Sequence, residues 1–121
     1  MLMDVIQLKQ GSKIYFGEPT NPMPRELSDS IAALMHETPG VAEAHLPQCY
    51  IEGAKAATQV LAVVPLPHVE LKRLLDAIEH GLFSIIPSGQ FLDVLPLAPD
   101  APELETIRSV GCKIHGYVDD D

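Results

Sequence analysis

This chain has no tryptophan, and Tyr and Phe together make up 5% of its 121 residues. With 46% of the sequence hydrophobic, so few rings mean an aliphatic core of Leu, Ile, Val, Ala and Met. Basic residues are also scarce, with 8 Lys and Arg against 17 acids, a net charge of -9, and Lys72-Arg73 as the one adjacent pair. Neutralising phosphates requires clustered cations, so neither nucleic acid nor an anionic membrane is an expected partner. A basic protein partner is compatible with the charge, which also serves plain solubility. The cysteines are Cys49 and Cys112. No basic region followed by a long apolar run opens the chain, so no signal peptide is expected and a cytoplasmic location is. There both cysteines are expected as reduced thiols, not a disulfide. No apolar run approaches the roughly 18 residues of a membrane helix. Glycine-rich phosphate loops are missing too, since Gly11 and Gly17 form neither G-x-G-x-x-G nor a P-loop.

What the sequence does have is a centre. Thr58 to Leu66 is rich in β-branched residues and carries no charge, and Val60 to Val64 does not alternate with polar residues. That pattern predicts a strand covered on both faces or lying mid-sheet. Around it, Met1 to Gln10 reads as a lead-in with Val5-Ile6 and Leu8 extended, and Gly11-Ser12 as a turn. Lys13 to Gly17 reads as the first firm strand. The proline-rich loop 18–24 delivers the chain to a helix over 24–38, with Leu27, Ile31, Leu34 and Met35 as its stripe and Pro39-Gly40 as its stop. Residues 41–52 predict a long strand interrupted by Pro47, which places it at a sheet edge or demands a bulge. A turn at 53–57 makes a hairpin with the central strand. A helix over 68–80 follows, with Leu71, Leu74, Leu75 and Ile78 inward and Gly81 as its stop. Residues 91–97 predict a second edge strand, because of Pro96. Asp100 and Glu103 have capping-box spacing for a short helix with Leu104, Ile107 and Val110 inward and Gly111 as the stop. A last strand over 112–117 and the acidic tail at 118–121 close the chain.

The order from Lys13 to Leu97 is β-α-β-β-α-β, which predicts one α+β domain over 1–121: a ferredoxin-like βαββαβ sandwich with a C-terminal α-β extension. In that topology both long helices share one face. The strands at 13–17 and 58–66 are central, and the two proline-containing strands are edges.

A family resemblance is carried by several stretches in order. Gly11-Ser12-Lys13-Ile14-Tyr15-Phe16-Gly17-Glu18-Pro19 resembles the G-x-K-[VI]-x-[LIF]-G-[QE]-P opening of the C-terminal domain of SseB, the enhanced serine sensitivity protein of bacteria. Pro39 to Leu46 is similar to the family's P-x-V-x-x-A-[YH]-L, and Leu92 to Leu97 to its [LI]-D-[VI]-[VL]-P-[LV] strand. The hydrophobic strand at Val60 to Pro65 and the closing helix at Ile107 to Gly111 also resemble family features. The resemblance spans roughly residues 8 to 115. The segment Cys112 to His115 departs from the P-F-Y type of ending found in the family, and the separate N-terminal domain carried by longer members is not expected of this chain. The resemblance implies little chemistry, the family being named for an effect on serine tolerance, and it brings no catalytic residues with it.

The residues themselves specify no reaction. His36, His45, His68, His80 and His115 lack the short paired spacings of zinc sites, and no metal or cofactor is expected. Cys49 and His115 are the one nucleophile-base pairing that strand order could create, and a small buried side chain is the plainer reading of Cys49. Pairs such as Glu103/Glu105 and Glu18/Glu26 read as helix N-terminal charges and solvated faces. The chain is therefore expected to be non-catalytic, meeting a protein partner or a second copy of itself through an open sheet face or edge. The expected contact residues are Tyr15, Gly17, Glu18, Pro19, His45 and Gln48. Two alternatives are an immunity-type antagonist of a basic toxin and a small-molecule, amino-acid sensor built on Gly17-Glu18-Pro19.

Overall fold

A computed structural model describes residues 13–53 and 56–116. The expected lead-in at Val5 to Leu8, the Gly11-Ser12 turn, the strand end at Tyr117 and the tail at 118–121 lie outside the described residues. The element order is β1 (Ile14–Gly17), α1 (Arg25–Glu37), β2 (Val41–His45), β3 (Gln48–Ile51), β4 (Thr58–Pro65), α2 (Leu71–Ile85), β5 (Asp93–Pro96), α3 (Pro102–Val110) and β6 (Lys113–His115). The architecture is α+β, with one six-stranded sheet among these residues and three helices.

Strand β4 is the hub, as its composition requires. Val60 through Val64 are all buried. Leu61 and Val63 pack into the cluster formed by Ile31 and Met35 of α1 and Leu74, Ile78 and Leu82 of α2. Ala62 and Val64, on the opposite face, pack with Leu95, Leu97 and with Leu104 and Ile107 of α3. A strand with a helical layer on each side has no wet face, which is why its apolar run does not alternate. The two long helices share one face, as expected, and α3 covers the other. The expectation of an open sheet face therefore fails along β4.

The strand order also departs from the ferredoxin-like one. On one side β4 pairs in parallel with β5, Val60 opposite Asp93 through Val63 opposite Pro96. The β4-α2-β5 crossover thus joins direct neighbours, and β1 does not lie between them. On its other side β4 pairs antiparallel with β2 through residues 62–65 and with β3 at Thr58 and Gln59. Strand β1 is not central: it pairs with β3, Ile14 opposite Ile51 through Gly17 opposite Gln48. Strand β6 pairs with β2 and so joins that side of the sheet.

Pro96 lies in an edge strand, as its missing N–H demands. Pro47 does not, because the long strand expected over 41–52 is interior. The chain breaks into β2 and β3 at Leu46-Pro47, where the outer partner changes from β6 to β1. Leu46 N–H donates outward to the Cys112 carbonyl at 3.0 Å, and the Pro47 carbonyl accepts inward from Val60 N–H at 2.9 Å. Pro47 has no outward donor to satisfy at the one position where no outer strand runs past it.

Two helix boundaries differ from expectation. Helix α2 continues through Gly81 to Ile85. A Cβ at Gly81 would run into the terminal methyls of Leu34 on α1, so this glycine serves the close approach of α1 rather than a helix stop. Helix α3 has Ala101 at its N-cap with no side-chain cap bond, and Pro102 opens it. Pro102 removes one orphan donor itself, and the expected Asp100–Glu103 capping box does not form. Gly111 does end α3, in the left-handed conformation at φ 84°.

Candidate functional site

A broad concavity among the described residues lies between the outer side of α2 and the turn that follows it. It has a volume of about 810 Å³ and is lined by Asp76, Glu79, His80 and Phe83 of α2 together with Ile86, Ser88, Gly89, Gln90 and Phe91. Phe83 is 75% exposed and Phe91 66% exposed. Two large rings thus stand in water at the lips of one cleft, where their burial is not gained by the core. Asp76 and Glu79 give the same wall negative charge, with Asp76 sharing an i,i+4 ion pair with Lys72 at 3.8 Å.

Sequence reasoning missed this cleft because it ended the helix at Gly81. Once α2 continues, its inward stripe runs Leu74, Ile78, Leu82, and Phe83 falls one step off it, facing out. An aromatic one position off an apolar stripe was the available signal. Phe91 was assigned to a strand that starts two residues later.

The structure gathers five of the six expected contact residues and separates the sixth. Gly17 is paired with Gln48 across β1 and β3. Gln48 Oε1 accepts from Thr20 N–H and from Thr20 Oγ1, both at 3.2 Å, which ties the Glu18-Pro19 loop back to β3. Tyr15 lies nearby, exposed, its ring 6.3 Å from that of Tyr50. His45 is 1% exposed and takes no part in that surface.

His45 belongs instead to a polar cluster under α3. Its Nε2 lies 2.5 Å from Glu43 Oε2, and Glu43 is held from the other side by Arg108, Nε to Oε2 at 2.8 Å and a terminal nitrogen to Oε1 at 2.6 Å. The Arg108 guanidinium draws the Glu43 carboxyl down to about 2, against the upward push of burial. Burial holds the His45 imidazole below the usual histidine range, against the opposing pull of Glu43. His45 Nδ1 is buried with no hydrogen-bond partner. His45 is buried at the inner end of the cluster while Arg108 stays half exposed at its rim, so the cluster reads as an anchor that fastens α3 to the sheet.

The thiols are not activated. Burial, with a smaller contribution from Asp93, raises Cys49 to about 11, and burial with Glu18 raises Cys112. Strand β6 does dock beside β2, but it carries His115 to His36 and the Val41 carbonyl, not to Cys49 on β3. The Cys49–His115 pairing therefore does not form. Among the described residues no group of three or more His, Cys, Asp or Glu is placed to hold a metal ion, and no helix is long and apolar enough to cross a membrane. Comparison with family models, curated proteins and solved structures finds no match to this chain.

Proposed function

We propose that this chain is a non-catalytic protein-interaction domain, acting in the cytoplasm, whose α2 cleft takes a segment of a partner carrying large apolar and basic side chains. The observation that carries the reading is the pair Phe83 and Phe91, both exposed at one cleft whose wall bears Asp76 and Glu79. Rings of this kind supply rigid anchor area at low entropic cost, and the carboxylates select cations beside them. The net charge of -9 draws a basic partner toward the domain at long range. Suppressed thiols and a closed-off histidine support a role without chemistry. The resemblance of residues 8–115 to the SseB C-terminal domain fits the same role, since it brings no reacting groups.

Selection from a random peptide display library tests the reading. Peptides enriched on the wild-type chain are expected to share one or two large apolar residues flanked by Lys or Arg, and to lose binding to a Phe83→Ser/Phe91→Ser variant. Enrichment of peptides that bind the variant equally would overturn it. The second reading, an antagonist of a basic toxin, draws on the same acidic wall, and neutralisation of a basic toxin in co-expression is its check. Thermal shift against serine and related amino acids addresses the sensor alternative.

A further inference from the structure

We propose that His36 and His115 form a two-histidine site for a single late first-row divalent cation, of the Cu²⁺, Ni²⁺ or Zn²⁺ class. The two residues are 79 positions apart, and the fold brings their Nδ1 atoms to 2.8 Å, with ring centroids 4.5 Å apart and planes at 77°. His115 Nε2 lies 3.2 Å from the Val41 carbonyl oxygen. A carbonyl only accepts, so Nε2 carries a proton, and in the neutral tautomer that this fixes Nδ1 presents its lone pair toward His36. That is the arrangement of a metal-ligating histidine, in which the distal ring N–H is held by a backbone carbonyl that fixes tautomer and orientation.

The spacing suits a chelate. With metal–nitrogen bonds of about 2.0–2.1 Å, two nitrogens in cis positions sit about 2.9 Å apart at a right angle and about 3.4 Å apart at a tetrahedral angle. Reaching these geometries needs an opening of about 0.1–0.6 Å and a turn of the rings by about 35–45°, so that both lone pairs converge on the ion instead of lying along the N–N line, and the exposed His36 ring has room to supply most of it. Without a metal, His36 Nδ1–H donates to His115 Nδ1. On binding, the His36 proton moves to its Nε2, both Nδ1 lone pairs meet the cation, water completes the coordination, and the net proton count of two neutral rings is unchanged. His36 stands in the last turn of α1, where the partial negative charge of the helix end favours a cation. Imidazole nitrogens select late transition ions over Mg²⁺ and Ca²⁺, with Cu²⁺ the tightest. The bound ion would fasten the C-terminal end of α1 to β6, a three-residue strand.

Titration of the full chain with ZnCl₂, NiCl₂ and CuCl₂ by calorimetry tests the site. Saturable one-to-one binding is expected, weakened at least tenfold by either His36→Gln or His115→Gln and unchanged by His68→Gln or His80→Gln. Zn²⁺ at tenfold excess over its dissociation constant is expected to raise the melting midpoint by about 4 °C. Because a glutamine variant can disturb β6, substoichiometric Cu²⁺ on the wild-type chain supplies a second readout, with amide broadening centred on residues 36 and 115. No saturable binding, binding indifferent to both variants, or broadening centred elsewhere overturns the proposal.

Discussion

Arg108, in the last turn of α3, grips the carboxylate of Glu43 on β2 at two points, while the same carboxylate holds the ring of the buried His45. Glu43 is the pivot of this relationship, since losing either partner leaves it half-buried with one hydrogen-bond donor fewer. Arg108 is itself half exposed, so Arg108→Ala is expected to lower the unfolding free energy by about 1 kcal/mol at pH 7, read from urea denaturation. A change within experimental scatter would mean that α3 is held by Leu104 and Ile107 alone.

The cluster also sets a pH dependence. The Glu43 pKa in the folded chain, about 2, is below its ordinary 4.5, so the folded state is favoured above 4.5 and the stabilisation is lost as pH falls toward 2. The His45 pKa is likewise lowered from 6.5, so the unfolded chain takes up a proton first and stability declines as pH drops below that value. Denaturant midpoints are expected to fall in two stages on acidification. His45→Phe is expected to remove the stage that begins near neutrality and leave the carboxylate stage in place. An unchanged midpoint profile in that variant would contradict the assignment.

At Gly81 two effects oppose each other. Alanine gains about 1 kcal/mol of helix propensity over glycine, but its Cβ meets both terminal methyls of Leu34. Overpacking costs about 1–3 kcal/mol where nothing can give, and the half-buried Leu34 side chain gives in part, so in the wild type Gly81→Ala is expected to lose the propensity gain and leave stability within about 1 kcal/mol of the parent. In a Leu34→Ala background the clash is gone and the same change is expected to stabilise. A double-mutant cycle by chemical denaturation decides it, and additive effects would show that the helices do not approach as described.

Thiol chemistry offers a quick check on burial. Cys49 is buried and its thiol is raised to about 11, so at pH 8 a disulfide exchange reagent is expected to modify it far more slowly in the folded chain than in urea. Rapid modification of Cys49 under native conditions would mean that β3 opens readily.

Much of this architecture was legible in the sequence, for reasons that differ from element to element. The unbroken apolar run at Val60 to Val64 announced a strand with both faces covered, and that is how β4 sits. The stripes Leu27-Ile31-Leu34-Met35 and Leu74-Ile78 placed two helices on one face, since a period of 3.6 encodes the buried side directly. Strand order was not legible. Pro47 signalled an interruption, but whether the chain at that point is an edge or a change of outer partner depends on where β1 and β6 arrive, which local pattern does not encode. Gly81 misled because a glycine that ends a helix and one that admits a neighbouring helix look alike in sequence. Of the contact residues expected, Tyr15, Gly17, Glu18 and Pro19 share a short motif and Gln48 pairs beside them, whereas His45 lies on a strand whose register shifts between Val41 and Glu43 and again between Ala44 and His45, which turns it inward. The cleft at Phe83 and Phe91 became visible only once α2 was followed to its end.

The role proposed for that cleft stands or falls on one affinity measurement. A synthetic peptide from the selection, carrying its apolar and basic residues, is titrated calorimetrically into the wild-type chain and into Phe83→Ser/Phe91→Ser, with both proteins shown to melt alike. The account predicts at least a tenfold loss of affinity in the variant and weaker wild-type binding as salt is raised. Equal affinity for the two proteins would contradict it.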